Sequence, residues 1–175
     1  MKKVLALVLA LVMVLSFAAP VLAIAPDYYD DLVAGRAGDD VGQVVMYVSG
    51  SNLDVGITLA PEWHLVEVHA HVECDQNGDE GWELIPQNKN HNPKNGQFVY
   101  YEGFYDPEVT PGPASTAFSL DISGMEDDLT VAIHCVVALE EEVDVWVYEG
   151  AWAKGTEFNV GEKNFAQYVV ILISR

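Results

Sequence analysis

The alternating stretch Trp63 to Asp79 constrains the fold of this chain more than any other part of its sequence. Side chains of a β-strand point alternately to its two faces, so WHLVEVHAHVEC predicts one strand with two chemically different faces. The predicted core face is apolar and carries Val66, Val68, Ala70, Val72 and Cys74. The opposite face carries Leu65, Glu67, His69, His71 and Glu73. The strand therefore predicts a half-buried sheet whose polar face holds histidines and carboxylates.

Similar short segments recur along the chain, and turn residues separate them. With residues 63–74 they give about eight predicted strands, the others being residues 42–48, 53–59, 98–105, 115–122, 130–139, 143–148 and 168–173. No segment shows a convincing helical period. This pattern predicts an all-β fold, specifically an antiparallel β-sandwich of Ig-like or jelly-roll-like topology.

The first residues are typical of an export signal. Lys2 and Lys3 precede an apolar run, and small residues up to Ala23 suit signal-peptidase cleavage. We therefore expect a signal peptide at residues 1–23, an acidic leader at 24–40 and one domain at 41–175, in a secreted or cell-surface protein. An uncleaved N-terminal anchor is the alternative. After cleavage we expect no membrane span.

Charge narrows the set of partners. Removing Lys2 and Lys3 leaves six basic residues against 27 acidic ones. Such a surface repels nucleic acid and anionic lipid, and it attracts cations. We expect no nucleic-acid partner; a surface glycan, a protein or a second copy of the chain are the candidate partners.

The two cysteines suggest a disulfide. Cys74 and Cys135 both fall on apolar faces of predicted strands, and exported proteins favour disulfides. The same alternation puts His134 on the face opposite Cys135. If the two strands are neighbours in one sheet, their histidine faces coincide; if the cysteines bridge across the core, the histidines point apart.

A zinc site is the sharpest chemical hypothesis. A His-x-His pair on one strand, a third histidine on a neighbour and nearby carboxylates match zinc chemistry. The candidate metal ligands are Glu67, His69, His71, His134 and Glu149. Half-exposed histidines beside carboxylates that bind no metal are the alternative interpretation.

Two further sites are weaker candidates. The loop 75–97 opens with oxygen-bearing side chains suited to calcium, Asp75, Asn77, Asp79 and Glu80, although its spacing is not that of an EF-hand. Aromatic residues could form a sugar-binding platform, or could equally be core residues. They are Trp82, Phe98, Tyr100, Tyr101, Phe104 and Tyr105.

Residues 40–171 resemble an uncharacterised exported β-module. The resemblance lies in DVGQVVMYVSGSNLDVGITL, WHLVEVHAHV, GQF, TVAIHCVVAL and GAWAKGTEFNVGEKNFAQY. The polar positions of the module correspond to Glu67, His69, Gln97, His134, Glu149, Trp152, Asn164 and Tyr168. Gly150 stands where the module usually has threonine, and Phe165 where it usually has tryptophan; His71 and both cysteines fall outside the pattern. The resemblance implies a secreted or cell-surface domain with Glu67, His69, His134 and Glu149 as a polar cluster, and it implies no particular activity.

These observations favour a non-enzymatic module for binding, adhesion or envelope structure, with zinc or calcium as a candidate stabilising ion. No nucleophile motif or phosphate loop occurs in the sequence, so no catalytic residue is predicted. Two other classes stay open. One is a zinc-dependent hydrolase or hydratase that uses His69, His71 and His134. The other is a surface subunit that assembles by exchanging strands.

Overall fold

A computed structural model describes residues 25–35, 37–75, 79–104, 112–126, 128–142, 145–158 and 165–173. The predicted signal peptide, residues 1–23, lies outside these ranges. Within them the chain forms ten strands, one short helix and one 3-10 turn, Asn95–Gln97. No helix in the described ranges is long and apolar enough to cross a membrane.

The elements follow one another along the chain. They are β1 (Tyr28–Ala34), β2 (Asp39–Ser49), β3 (Asn52–Leu59), β4 (Trp63–Cys74), α1 (Gly81–Leu84), β5 (Tyr100–Gly103), β6 (Ser115–Asp121), β7 (Leu129–Glu142), β8 (Val145–Ala153), β9 (Thr156–Glu157) and β10 (Gln167–Ile171).

The strands form one antiparallel sheet that nearly closes on itself. Its order is β5-β4-β7-β8-β1-β2-β3-β6, and β10 pairs with β7 at residues 129–131, beyond the part of β7 that pairs with β8. The all-β prediction is confirmed, whereas a sandwich is not what forms: the sheet is barrel-like. Alternation predicts a buried face, but it does not say whether that face meets a second sheet or curls around itself.

Main-chain hydrogen bonds bring the two ends of the sheet together at a β-bulge in β4, between Leu65 and Glu67. The Leu65 amide donates to the carbonyl of Pro113 (3.0 Å), and the Leu59 amide of β3 donates to the carbonyl of Ala114 (2.8 Å). Residues 113–114 therefore connect β3 to β4. The bulge frees the Leu65 amide for this bond.

Side chains complete the closure between β5 and β6. The rings of Tyr100 and Phe118 stack with centroids 4.0 Å apart. The Thr116 hydroxyl donates to the Glu102 carboxylate at 3.3 Å, and this carboxylate also accepts from the Tyr100 hydroxyl. Burial and the neighbouring carboxylate raise the pKa of Tyr100, so this hydroxyl stays a donor.

The bulge also corrects the predicted faces of β4. Leu65 is fully buried in the core, whereas Val66 is only partly buried. The predicted faces reversed these two residues, because a bulge shifts the alternation by one position. Beyond the bulge the prediction is confirmed: Val68, Ala70 and Val72 are buried in the core.

The predicted acidic leader is part of the sheet. β1, which lies inside residues 24–40, pairs with β2 on one side and β8 on the other. Leu32 and Ala34 are buried in the core, so the sheet starts at Tyr28 rather than after residue 40. Only the second half of β1 is apolar, and this short signal did not distinguish it from a leader.

The predicted disulfide is wrong. Cys74 and Cys135 are both buried thiols with no disulfide between them. Cys74 lies opposite Leu129, while Cys135 lies opposite Val68. At about 3.4 Å per residue this offset separates them by roughly 20 Å, far beyond the reach of a disulfide. Face parity was correct, but it does not fix the position along the strand.

A second apolar cluster covers part of the outer face of β4, β7 and β8. Residues 79–99, 156–158 and 165–168 supply most of it. Its buried members are Ile85, Phe98, Ala132, Trp152, Phe158 and Ala166, and Trp82, Phe165 and Tyr168 pack against them. This outer cluster explains why Ala132, on the predicted polar face, is fully buried.

Gly112 tests the closure of the sheet. A methyl group at this position would overlap the carbonyl oxygen of Leu65. We expect Gly112→Ala to reduce the free energy of unfolding by about 1–3 kcal/mol, the usual cost of overpacking. Urea unfolding measures this loss.

Gly96→Ala is the matched control, because nothing lies within 4 Å of its Cβ position. We expect that variant to stay within about 0.5 kcal/mol of the parent protein. Equal stability of the two variants would contradict closure through residues 113–114.

Candidate functional site

Four rings lie side by side across four strands of the outer face. Tyr101 of β5 is opposite His69 of β4, which is opposite His134 of β7, which is opposite Trp152 of β8. The ring centroids are 4.9, 5.8 and 4.8 Å apart in that order. The condition set by the sequence is therefore met: β4 and β7 share a sheet, and His69 and His134 are direct cross-strand neighbours.

His69 and Glu67 form a bonded pair beside this row. The Nε2 of His69 lies 3.1 Å from a carboxylate oxygen of Glu67. A carboxylate only accepts, so Nε2 carries the hydrogen and Nδ1 of the neutral ring carries the lone pair. That Nδ1 is buried and has no hydrogen-bond partner. The bond to Glu67 thus orients the His69 ring, while Nδ1 on the other side of the ring has no hydrogen-bond partner.

His134 is also mostly buried. Its Nδ1 is likewise buried without a hydrogen-bond partner. Burial, and secondarily the neighbouring His69, lower the pKa of His134 to about 4. The ring is therefore neutral at neutral pH. Two unsatisfied imidazole nitrogens on neighbouring rings are uncommon, because buried polar groups are nearly always bonded.

His71 has a different role. Its side chain is almost fully buried against Phe98, with ring centroids 5.5 Å apart. The Val99 amide donates to Nδ1 at 3.2 Å, so Nε2 carries the hydrogen and donates to Glu73 at 3.0 Å. Both nitrogens are used. His71 therefore attaches residues 98–99 to the sheet, and it has no lone pair left for a metal.

Glu149 is separated from the histidines. It lies opposite Val137, a core-facing residue, whereas its neighbour Gly150 lies opposite Val136 on the outer face. The Glu149 carboxylate lies near Gly35, at the turn between β1 and β2. Of the five predicted metal ligands, the sheet brings together Glu67, His69 and His134.

The predicted calcium loop uses its described oxygens internally. Asp75 accepts from the Gly81 amide at 2.7 Å, and Glu80 accepts from the indole nitrogen of Trp82 at 2.6 Å. The Asp75 bond holds the start of α1 at the end of β4. Asp79 is exposed, and Asn77 lies outside the described residues.

The predicted aromatic platform is divided among several locations. Trp82 and Phe98 belong to the outer cluster, while Tyr100 and Phe104 pack against the core. Tyr105 lies outside the described residues. Tyr101 alone among the five described members is largely exposed, with 61% of its surface accessible.

No segment among the described residues covers part of the outer face beside the histidine pair. We name it the open patch and define it by Glu67, Tyr101, Val136, Tyr148 and Gly150. Tyr148 is 48% exposed. A Cβ on Gly150 would lie 3.2 Å from Nε2 of His134, so the missing side chain leaves this edge of the ring uncovered. A lone glycine inside a strand pattern is the sequence signal that could have indicated such a position.

Among the described residues, no group of three or more histidine, cysteine, aspartate or glutamate side chains could hold a metal ion. Comparison with known proteins adds no identity: no family model, no curated protein and no solved structure matches the chain. The resemblance to an exported module therefore depends on the residues quoted above alone.

The His134 ring predicts an acid-sensitive fold. Below pH 6.5 the unfolded chain binds a proton at His134 that the folded chain binds only near pH 4. The stability from this residue is present above pH 6.5 and is lost as the pH falls to 4, by about 3 kcal/mol in total. Urea unfolding with chelator at several pH values measures it.

His134→Gln is the comparison for that titration. The titratable group facing His134 is His69 of β4; the β8 residues beside it, Gly150 and Trp152, do not titrate. We expect the variant to lose less stability between pH 6.5 and 4 than the parent protein. Parallel curves for the two proteins would contradict the prediction.

His71→Leu tests the anchoring of the outer cluster. Leucine keeps apolar contact with Phe98 but leaves the Val99 amide without an acceptor, so we expect a loss of about 1–3 kcal/mol. Exchange of the Val99 amide hydrogen should also become faster. The control is His91→Asn, an exposed position with φ 57° that asparagine tolerates, where we expect almost no change. Unchanged protection at Val99 would rule out the anchoring role.

Proposed function

We propose that this chain is a secreted or cell-surface, non-enzymatic module for binding, adhesion or envelope structure, and that it binds its ligand at the open patch. The observation that carries the proposal is a contrast: polar groups on the covered part of the outer face bond within the chain, whereas the tyrosines of the open patch are exposed. His71 and Asp75 bond to the Val99 and Gly81 amides and fasten the covering segment to β4, and Glu80 bonds to Trp82 within that segment. These groups support structure rather than chemistry.

The composition of the open patch suits recognition. Exposed tyrosines combine a large apolar surface with a hydroxyl at low conformational cost. Tyr101 and Tyr148 lie on either side of the glycine depression, and the Glu67 side chain is 38% exposed beside them. Rings with one carboxylate can stack on the C–H face of a sugar and accept its hydroxyl hydrogens. A neutral or cationic surface glycan is therefore the partner that we favour.

Charge and export support the same choice. The formal net charge is −19, which disfavours anionic ligands through long-range repulsion. The basic and apolar start of the chain supports export, where glycans are abundant.

The zinc-hydrolase alternative loses support at His71. That proposal needs three histidine ligands, and the third has both nitrogens engaged. The strand-exchange alternative also has to overcome existing bonds, because β1 is already paired on both sides.

Glycan-array binding tests the proposal, with the purified chain applied to neutral and amino-sugar glycans in the presence of chelator. We expect the double variant Tyr101→Ser/Tyr148→Ser to lose binding about tenfold or more, since buried aromatic contacts dominate such interfaces. Tyr29→Ser is the control, because Tyr29 is equally exposed but lies on β1, outside the patch.

Three results would contradict the proposal. Equal binding by the double variant and the control would rule out the open patch as the binding site. Turnover of an ester or amide substrate that disappears in His134→Gln would place the protein among enzymes. Concentration-dependent oligomers in size-exclusion chromatography, with no glycan binding, would favour the self-assembling subunit.

A further inference from the structure

We infer that His69 and His134 together bind one first-row transition-metal ion through their Nδ1 atoms, with Glu67 as the residue that orients His69. The metal site goes beyond the proposed function, because glycan binding at the open patch does not require an ion. It differs from the site predicted from the sequence, since it excludes His71 and Glu149.

The first support is the pair of unsatisfied nitrogens. The Nδ1 atoms of His69 and His134 are the two imidazole nitrogens that the described structure leaves buried without a hydrogen-bond partner. A buried imidazole nitrogen without a hydrogen-bond partner is costly, and a cation bound to both Nδ1 atoms would remove that cost at both rings. The two other unsatisfied buried atoms are amide oxygens of Gln87 and Asn95, outside this row of rings.

Ring spacing is the second support. A zinc–nitrogen bond of about 2.1 Å places a ring centroid roughly 3.2 Å from the ion, so two ligating rings have centroids at most about 6.4 Å apart. The observed separation is 5.8 Å. Direct cross-strand pairing fixes this spacing, because both histidines are held by the rigid β4–β7 ladder.

Glu67 supplies the third support. Metal-bound histidines usually donate their second nitrogen to a carboxylate, which fixes the tautomer. The bond from His69 Nε2 to Glu67 leaves Nδ1 as the ligating atom. Glu67 is thus a positioning residue and not itself a ligand. The Glu73 carboxylate provides a comparison, since it makes the same kind of bond to His71, whose other nitrogen is occupied.

Two protein donors define which ions should bind. The remaining coordination positions belong to water, in agreement with the absence of a three-ligand group among the described residues. Imidazole nitrogens prefer copper and zinc over calcium, and in the Irving–Williams order copper binds more tightly than zinc. We therefore expect saturable binding of one equivalent, with the order Cu²⁺, Zn²⁺, then no measurable Ca²⁺ at this pair.

The test is titration of the chelator-treated full chain with Zn²⁺, Cu²⁺ and Ca²⁺, followed by calorimetry and by melting temperature. We expect zinc to raise the melting temperature of the parent protein and chelator to reverse the rise. His69→Gln and His134→Gln should abolish the effect, and His91→Asn should retain it. Glu67→Gln should weaken zinc about 10- to 100-fold while Glu73→Gln does not.

Nuclear magnetic resonance of the imidazole nitrogens in the parent protein keeps the test independent of variants that fail to fold. Zinc-dependent shifts of Nδ1 in both His69 and His134 are expected. Absence of saturable binding, or shifts confined to His64 or His91, would overturn the inference, as would Ca²⁺ binding that the histidine variants leave unchanged. Glycan binding measured in chelator addresses the proposed function separately, so the two can fail independently.

Discussion

The β-bulge between Leu65 and Glu67 is the constraint on which the rest of the structure depends. It releases the Leu65 amide to bond Pro113, and this bond brings the start of β6 against β4 and nearly closes the sheet. The same extra residue shifts the alternation of β4, so Leu65 and Val68 both point into the core. Without that shift, a β4 that buried Leu65 would also turn His69 inward. The bulge therefore lets β4 bury Leu65 in the apolar interior and still place His69 on the outer face.

The outer face has two parts, which differ in whether other segments cover them. At the end of β4 that carries His71 and Glu73, α1 and the segment before β5 cover the sheet, and both nitrogens of the buried His71 ring are bonded. At the end that carries Glu67, no segment among the described residues covers the sheet, and Gly150 lacks a side chain that would lie against His134. His69 and His134 lie at the boundary between these parts. Both rings are well buried there, and no described side chain of the covering segments donates a hydrogen bond to their Nδ1 atoms.

Period-two patterning predicted the all-β class and most strands, because alternation is a local property that each strand records in its own residues. It also predicted that His69 and His71 lie on the face of β4 opposite Cys74 and that His134 lies opposite Cys135, but it left open whether these two histidine faces coincide. The strand register, the closure of the sheet and the segments that cover its outer face could not be predicted, since they depend on contacts between residues far apart in the sequence. Cys74 and Cys135 illustrate this limit, as parity gave their faces and said nothing about their offset. The role of His71 shows the same limit for the site. It depends on a hydrogen bond from the Val99 amide, and nothing in the sequence indicates that bond.

The pairing of β1 with β8 bears on how the chain assembles. Val33 of β1 lies opposite Trp152 of β8, and β10, which follows β8 in the chain, pairs with β7. Contacts between residues so far apart in sequence slow folding, because the loop must close before any contact forms. A chain that emerges from its N-terminus onward therefore holds β1 with one hydrogen-bonded edge unpaired for most of its synthesis. The acidic residues of that strand, Asp30 and Asp31, keep this unpaired edge soluble and discourage it from pairing with other copies of the chain.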